Sequence, residues 1–323
     1  MLKDFFVNVM DYLILIVGLA MLTLGADWLT KGCVGMAARF RVPEFVVGLT
    51  VMAVGTSMPE LTVSAVSALK GSTDMAIGNV TGSNIFNILI ILGVCAIIKP
   101  MVFSKENIRR DIPICLGASL LLVMLTLFVG AERGVSRWEA IVLFLLYVAS
   151  TIYSIRSARN DGAVEDDSAD EQSQMGWLKV GAFIVVGLVG LVWGGNLCLN
   201  SATAIARAWG VSESIIAITI VAAGTSLPEL ASSVSAVVSK KPSLALGNII
   251  GSNVANILLI LGACGSIKPL TMGNITPLDI WMTVVAAVVL LVSALVIGVR
   301  RITRLEGVLY LAIYVGYVII LMQ

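Results

Sequence analysis

Two stretches carry the residues that could do chemistry: Gly55-Thr56-Ser57-Met58-Pro59-Glu60 and Gly224-Thr225-Ser226-Leu227-Pro228-Glu229. Each sets a carboxylate, two hydroxyls and a proline in an apolar run, after Val46 to Val54 in the first copy and Ile215 to Ala223 in the second. A charge at that depth in a membrane is expensive and marks function. Proline brings no N–H, so it frees the carbonyl four residues back, Gly55 or Gly224. Backbone polar groups freed in lipid must find a partner, and a bound cation can be one. Thr56, Ser57 and Glu60 stand at i, i+1 and i+4, so on a helix Glu60 shares a face with both hydroxyls. Each copy reads as a cluster of oxygen ligands suited to hard cations such as calcium and sodium. Two ionised carboxylates facing each other in lipid repel unless a cation lies between them. One divalent ion neutralises the pair, as do two or three monovalent ions on adjoining oxygens, and competition between those loads is the physical basis of an exchanger. The blander reading is a protonated carboxyl hydrogen-bonded within a helix bundle.

A second motif follows each copy: Gly78-Asn79-Val80-Thr81-Gly82-Ser83-Asn84-Ile85-Phe86-Asn87, and Gly247-Asn248-Ile249-Ile250-Gly251-Ser252-Asn253-Val254-Ala255-Asn256. Ser83 and Asn87 are four apart and share a helix face, as do Ser252 and Asn256. Small-residue packing with polar groups as glue accounts for the glycines. The serines and asparagines recur beside a buried glutamate, which makes Ser83, Asn87, Ser252 and Asn256 candidate ligands. Asn79 and Asn248 are expected to cap the helix break. Asp27, whose counterpart is Asn196, reads as a structural hydrogen-bonding group near the membrane interface.

The elements that must position these residues are membrane spans. Apolar residues make up 58% of the chain and charged residues 13%, against about 25% charged in soluble domains. Apolar runs of about 20 residues recur along the whole length. The sequence predicts an all-α membrane protein of ten transmembrane helices, with helices 2, 3, 7 and 8 broken. The spans fall at 9–38, 42–69, 74–98, 110–130, 137–157, 177–207, 212–239, 243–267, 277–299 and 304–322. Of the 21 basic residues, Lys3, Lys70, Arg133, Arg137, Arg207 and Lys268 fall on one side and the rest on the other. The positive-inside rule makes the richer side cytoplasmic and puts both termini outside the cell membrane.

The halves repeat. From Glu60 to Glu229 is an offset of 169, and the same offset relates Gly18 to Gly187, Gly25 to Gly194, Gly78-Asn79 to Gly247-Asn248 and Lys99-Pro100 to Lys268-Pro269. Five spans per half is odd, so the copies enter the membrane from opposite sides, as in secondary transporters with a midplane site. The expected organisation is a first inverted repeat over 1–158, a cytoplasmic acidic linker over 159–176 and a second inverted repeat over 177–323. The acidic run from Asp161 to Glu171 lacks EF-hand spacing and reads as a solvated linker. The five cysteines are scattered singly, and there is no histidine; they read as small packed hydrophobes. A net charge of +1 gives no reason to expect nucleic acid. No nucleophile–base pair, phosphate loop, cofactor motif or obligate protein partner is evident, so an enzyme reading has little support. The expected partners are the bilayer and the ions themselves.

These residues resemble the alpha-1 and alpha-2 repeats of the calcium/cation antiporter superfamily, with prokaryotic sodium/calcium exchangers as the nearest likeness. The likeness rests on GTSxPE and GSNxxN, each present twice, on ten spans and on inverted halves. It implies antiport of sodium against calcium by alternating access. It implies calcium held centrally by Glu60 and Glu229 with the carbonyls of Thr56 and Thr225. Sodium sites would flank the centre, using Ser57, Ser226, Ser83 and Ser252 and the carbonyls of Ala53 and Ala222. It further implies that two long tilted helices, the first and sixth spans, slide over a fixed core, their glycines Gly18, Gly25, Gly187, Gly190, Gly194 and Gly195 giving a smooth sliding face. One departure stands out. Many members carry an aspartate in the last position of one second motif, whereas Asn87 and Asn256 are both amides here. That weakens a potassium-cotransporting reading. A calcium/proton exchanger on the same fold is the alternative, and a passive cation channel or a structural membrane protein is the reading from another class.

Overall fold

The structure is a computed structural model, and it describes residues 2–129, 134–160, 175–211, 222–273, 275–297 and 300–321. Its helices are α1 (Leu2–Phe40), α2 (Glu44–Thr56), α3 (Met58–Lys70), α4 (Thr73–Ile98), α5 (Asn107–Val129) and α6 (Arg137–Asn160). The second half holds α7 (Trp177–Ala208), α8 (Ala222–Gly224), α9 (Leu227–Val238), α10 (Pro242–Ile267), α11 (Pro277–Leu295) and α12 (Arg304–Leu321). Among the described residues, eight helices are long and apolar enough to cross a membrane, and the bent pair α2–α3 makes a ninth candidate. The expected span over 212–239 is described only from Ala222, and the acidic run from Asp161 to Glu171 lies outside the described residues.

Two of the four expected breaks are present. The second span bends by 45° between α2 and α3, and Thr225-Ser226 interrupt the helix between α8 and α9. The other two expected breaks are corrected: α4 and α10 continue without interruption through their motifs as single spans. In place of a break each widens into π-helical turns, Asn87–Leu92 and Ala255–Ile260. The difference has a physical reason. Pro59 and Pro228 remove an N–H from the first motif, whereas the second motif keeps every N–H and stays α-helical to Phe86 and Val254, the wide turn beginning only at its end.

The most enclosed span is α10, with 94% of its apolar window buried inside the molecule. It packs against α2, α9 and the wide turns of α4, and α3 packs on α4. Around this core, α5 packs on α11, α6 on the end of α10 and α12 on the end of α4. The remaining pair, α1 and α7, lies along itself for most of its length and touches the core mainly through α9, with smaller contacts on α2 and α8.

Short ribbons tie the halves together: β1 (Met101–Val102) pairs with β4 (Arg301–Ile302), and β2 (Gly134–Val135) with β3 (Leu270–Thr271), both antiparallel. Each of α5, α6, α11 and α12 is preceded by a reciprocal cap. The caps join Ser104 with Asn107, Ser136 with Glu139, Thr276 with Asp279 and Thr303 with Glu306. Such caps satisfy N–H groups that a helix start leaves open.

Candidate functional site

The first motifs of the two halves meet in the core. Glu60 and Glu229 are each 1% exposed, and each accepts a hydrogen bond from the serine of the other's motif. The break before each glutamate puts it in the first turn of a new helix, α3 or α9, where the helix dipole favours a negative group.

The hydroxyls serve the carboxylates crosswise. Ser57 Oγ donates to Glu229 Oε1 at 2.9 Å. Ser226 Oγ donates to Glu60 Oε1 at 3.1 Å. Ser83 Oγ donates to the same Glu60 oxygen at 3.4 Å and lies 3.2 Å from Ser226 Oγ. The i, i+1, i+4 spacing placed Thr56, Ser57 and Glu60 on one helical face; the break at Ser57 undoes that face and turns the serine toward the other half.

The asparagines that open the second motifs brace the broken helices. Asn79 Nδ2 donates to the Glu60 carbonyl at 3.2 Å and to Ser64 Oγ at 3.1 Å. Asn248 Nδ2 donates to Ser232 and Ser233 Oγ at 3.1 and 2.9 Å. Their oxygens accept from the opposite half, Asn248 from Thr56 Oγ1 at 3.3 Å and Asn79 from Thr225 Oγ1 at 3.5 Å. The expectation that these asparagines cap the breaks is corrected, since their partners are side chains and the Glu60 carbonyl rather than the main-chain groups at the break.

The backbone at the first break also differs from expectation. Ser57, at φ −81° and ψ 9°, tightens the turn, and the N–H groups there bond the carbonyls of Ala53 and Gly55. The Gly55 carbonyl is therefore not left free by Pro59. Ala53 O accepts from Ser57 N at 3.0 Å and from Thr56 Oγ1 at 3.4 Å. Ala222 opens α8 one turn before Thr225 and Ser226.

The second motifs, whose Ser83 reaches Glu60, also bring together four buried asparagines. Asn84 Nδ2 donates to the main-chain carbonyl of Asn253 at 3.2 Å, and Asn256 Nδ2 donates to Asn84 Oδ1 at 3.0 Å. Asn87 Nδ2 donates to Asn253 Oδ1 at 3.3 Å. Sequence reasoning passed over Asn84 and Asn253. The available signal was their repetition at the 169 offset, three residues before the candidates Asn87 and Asn256.

Several oxygens in this cluster have no hydrogen-bond partner although they are buried: Glu60 and Glu229 Oε2, Asn87 and Asn256 Oδ1, and Ser252 Oγ. Each such group costs about 1–3 kcal/mol, and more when charged. With two carboxylate oxygens among them, they are hard oxygens of the kind that a calcium or sodium ion would satisfy. Asp27 lies apart, paired with Lys31 at 2.6 Å one turn along α1.

The comparisons with known proteins agree with this geometry. A family model described as sodium/calcium exchanger protein matches residues 10–156 and 179–323. The sodium/calcium exchanger MaX1 of Methanosarcina acetivorans is 32% identical, over 96% of this chain and 98% of its own. The inner membrane protein YrbG of Escherichia coli is 34% identical, over 82% of this chain and 81% of its own. A solved structure of the sodium-calcium exchanger NCX_Mj superposes with a TM-score of 0.82 at 30% identity, covering 97% of this chain and 99% of that one. With two buried glutamates served crosswise by the serines of a twice-written motif, and a family model spanning both halves, this multi-pass membrane protein belongs to the sodium/calcium exchanger family.

Proposed function

We propose that the chain is a secondary antiporter that extrudes calcium from the cell by alternating access, driven by the inward sodium gradient. The observation that carries this reading is the pair Glu60 and Glu229. Each is fully buried, each has one oxygen bonded by a serine of the opposite half, and each has a second oxygen without a protein partner. Calcium would lie between the two carboxylates, completed by the carbonyls of Thr56 and Thr225. Sodium ions would take the flanking oxygens of Ser57, Ser226, Ser83, Ser252, Asn87 and Asn256 and the carbonyls of Ala53 and Ala222. Ser57, Ser226 and Ser83 also bond the glutamates, so the two loads compete for one cluster and one excludes the other.

The same reading takes the architecture to be ten spans in two inverted repeats, 1–158 and 177–323, joined by the linker 159–176. Three features support it. The strand β1 leads to β3 by the 169 offset, and the two ribbons pair the halves reciprocally. The π-helical turns recur at nearly that offset, Asn87–Leu92 with Ala255–Ile260 and Met124–Val129 with Ser293–Ile297. The bonds between Ser57 and Glu229 and between Ser226 and Glu60 are the same bond written twice. By the positive-inside rule the termini lie outside the cytoplasmic membrane. The amides at Asn87 and Asn256 leave two carboxylates, enough to neutralise one calcium ion.

The test is uptake of calcium-45 into proteoliposomes under an imposed sodium gradient. Sodium-dependent uptake is expected, and Glu60→Gln or Glu229→Gln should reduce it to the protein-free background. Uptake driven by a pH gradient and indifferent to sodium would replace sodium with protons as the counter-ion, and uncoupled currents would make the protein a channel.

A further inference from the structure

The geometry points to Asn84 as a positioning residue that sets which end of Asn256 faces the ions. This rests on the ion site proposed above. Asn84 is 2% exposed, and its amide bonds the main-chain carbonyl of Asn253 at 3.2 Å. A carbonyl only accepts, so the end of Asn84 turned toward it must be the NH2 group, which leaves Oδ1 at the other end. Oδ1 only accepts in turn, so the end of Asn256 that meets it at 3.0 Å must be Nδ2. Asn256 Oδ1 is thereby turned away from Asn84, and it is buried without a protein partner.

One backbone carbonyl in α10 thus orients two side chains in series. The last of them presents a buried oxygen without a protein partner. The other half has no such anchor: Asn87 and Asn253 meet only through side chains, at 3.3 Å, and either amide can turn over without breaking a main-chain bond. The arrangement also gives a reason for the amide at position 256. An ionised carboxylate there would set oxygen against Asn84 Oδ1, whereas an amide supplies a donor to Asn84 and keeps an acceptor for the ion.

The experiment is a double-mutant cycle on the full chain in proteoliposomes, with Asn84→Ala, Asn256→Ala and the double variant. The sodium half-saturation constant is read separately from the maximal rate, and the melting midpoint is taken alongside. Each single variant should raise the sodium constant roughly fivefold, the equivalent of about 1 kcal/mol. The double variant should be no worse than Asn256→Ala, because Asn84 acts through Asn256. A double variant whose shift is the product of the two singles would overturn the proposal. So would an unchanged sodium constant in Asn84→Ala when Asn256→Ala is impaired. A normal constant in Asn256→Ala would remove that residue from the ion site and Asn84's role with it, while sodium-driven uptake in the wild type would still stand. Should Asn84→Ala not fold, Asn84→Ser, whose hydroxyl is too short to bridge Asn253 and Asn256, replaces it in the same cycle.

Discussion

Ser57 belongs to the first motif and works for the glutamate of the second: its hydroxyl donates to Glu229 at 2.9 Å. Ser226 returns the bond to Glu60 at 3.1 Å. A hydrogen bond to a charged group is worth about 1.5–3 kcal/mol. Ser57→Ala is therefore expected to raise the calcium half-saturation constant by roughly tenfold or more, as a titration of calcium uptake would measure. The same residues predict a stability effect. Two buried carboxylates and several partnerless oxygens are unfavourable without an ion, so calcium should raise the melting midpoint of the purified protein in proportion to ligand excess. In Glu60→Gln that rise should be largely lost, and an equal rise in variant and wild type would place the ion elsewhere.

At the scale of elements, the outer helices and the core helices are built by different rules. The helices α5, α6, α11 and α12 each start at a reciprocal side-chain cap, which pins them where they enter the membrane. Thr303→Ala should cost about 1 kcal/mol, lowering the melting midpoint by a few degrees while leaving the sodium constant of transport unchanged. The pair α1–α7 depends instead on bare backbone contact. A side chain added at Gly25 would lie 2.8 Å from the Gly187 carbonyl, and one added at Gly187 would lie 2.6 Å from Leu29 N. These glycines, with Gly18 and Gly194, face one another across the pair. The expectation that they provide a sliding face toward the core is corrected: they lock the two helices together, and of the six Gly195 is the one that faces the core, where an added side chain would lie 3.6 Å from Pro228. Gly187→Leu should separate the helices and abolish transport, with a melting midpoint well below that of Thr303→Ala.

At the scale of the whole molecule, the locked pair meets the two halves of the core unequally. Thr30 of α1 donates to Ser235 of α9 at 3.4 Å. The residues related to these by the 169 offset are Leu199 of α7 and Val66 of α3, and Val66 is 43% exposed. At its end the pair is held by Arg39, which donates to the Met175 carbonyl and sits over the Trp177 ring at 5.0 Å. If the pair moves as one body between two related positions, the contact made by Thr30 and Ser235 in one state passes to Leu199 and Val66 in the other. A cysteine pair at 30 and 235 should cross-link and arrest transport in the conformation described. A pair at 66 and 199 should cross-link only in the alternate state, in a background where the five native cysteines, all buried, are replaced. Cross-linking of both pairs in the same molecule would refute a single rigid movement.

The sequence by itself determined the membrane class, the 169-residue repeat and the residue types of the candidate site. These follow from apolar run length, from two carboxylates that lipid does not tolerate without a role, and from an offset that needs no gap. It also placed the breaks at the first motifs, because proline acts on the helix that contains it. Only the tertiary structure decided who bonds whom. Whether Ser57 serves Glu60 or Glu229 depends on how a broken helix from one half meets its counterpart, and a local spacing rule describes an unbroken helix. The glycine seam between α1 and α7 and the orientation of Asn256 by Asn84 share that cause. Each is set by a neighbour more than a hundred residues away in the chain, or by a main-chain carbonyl whose direction no residue type encodes.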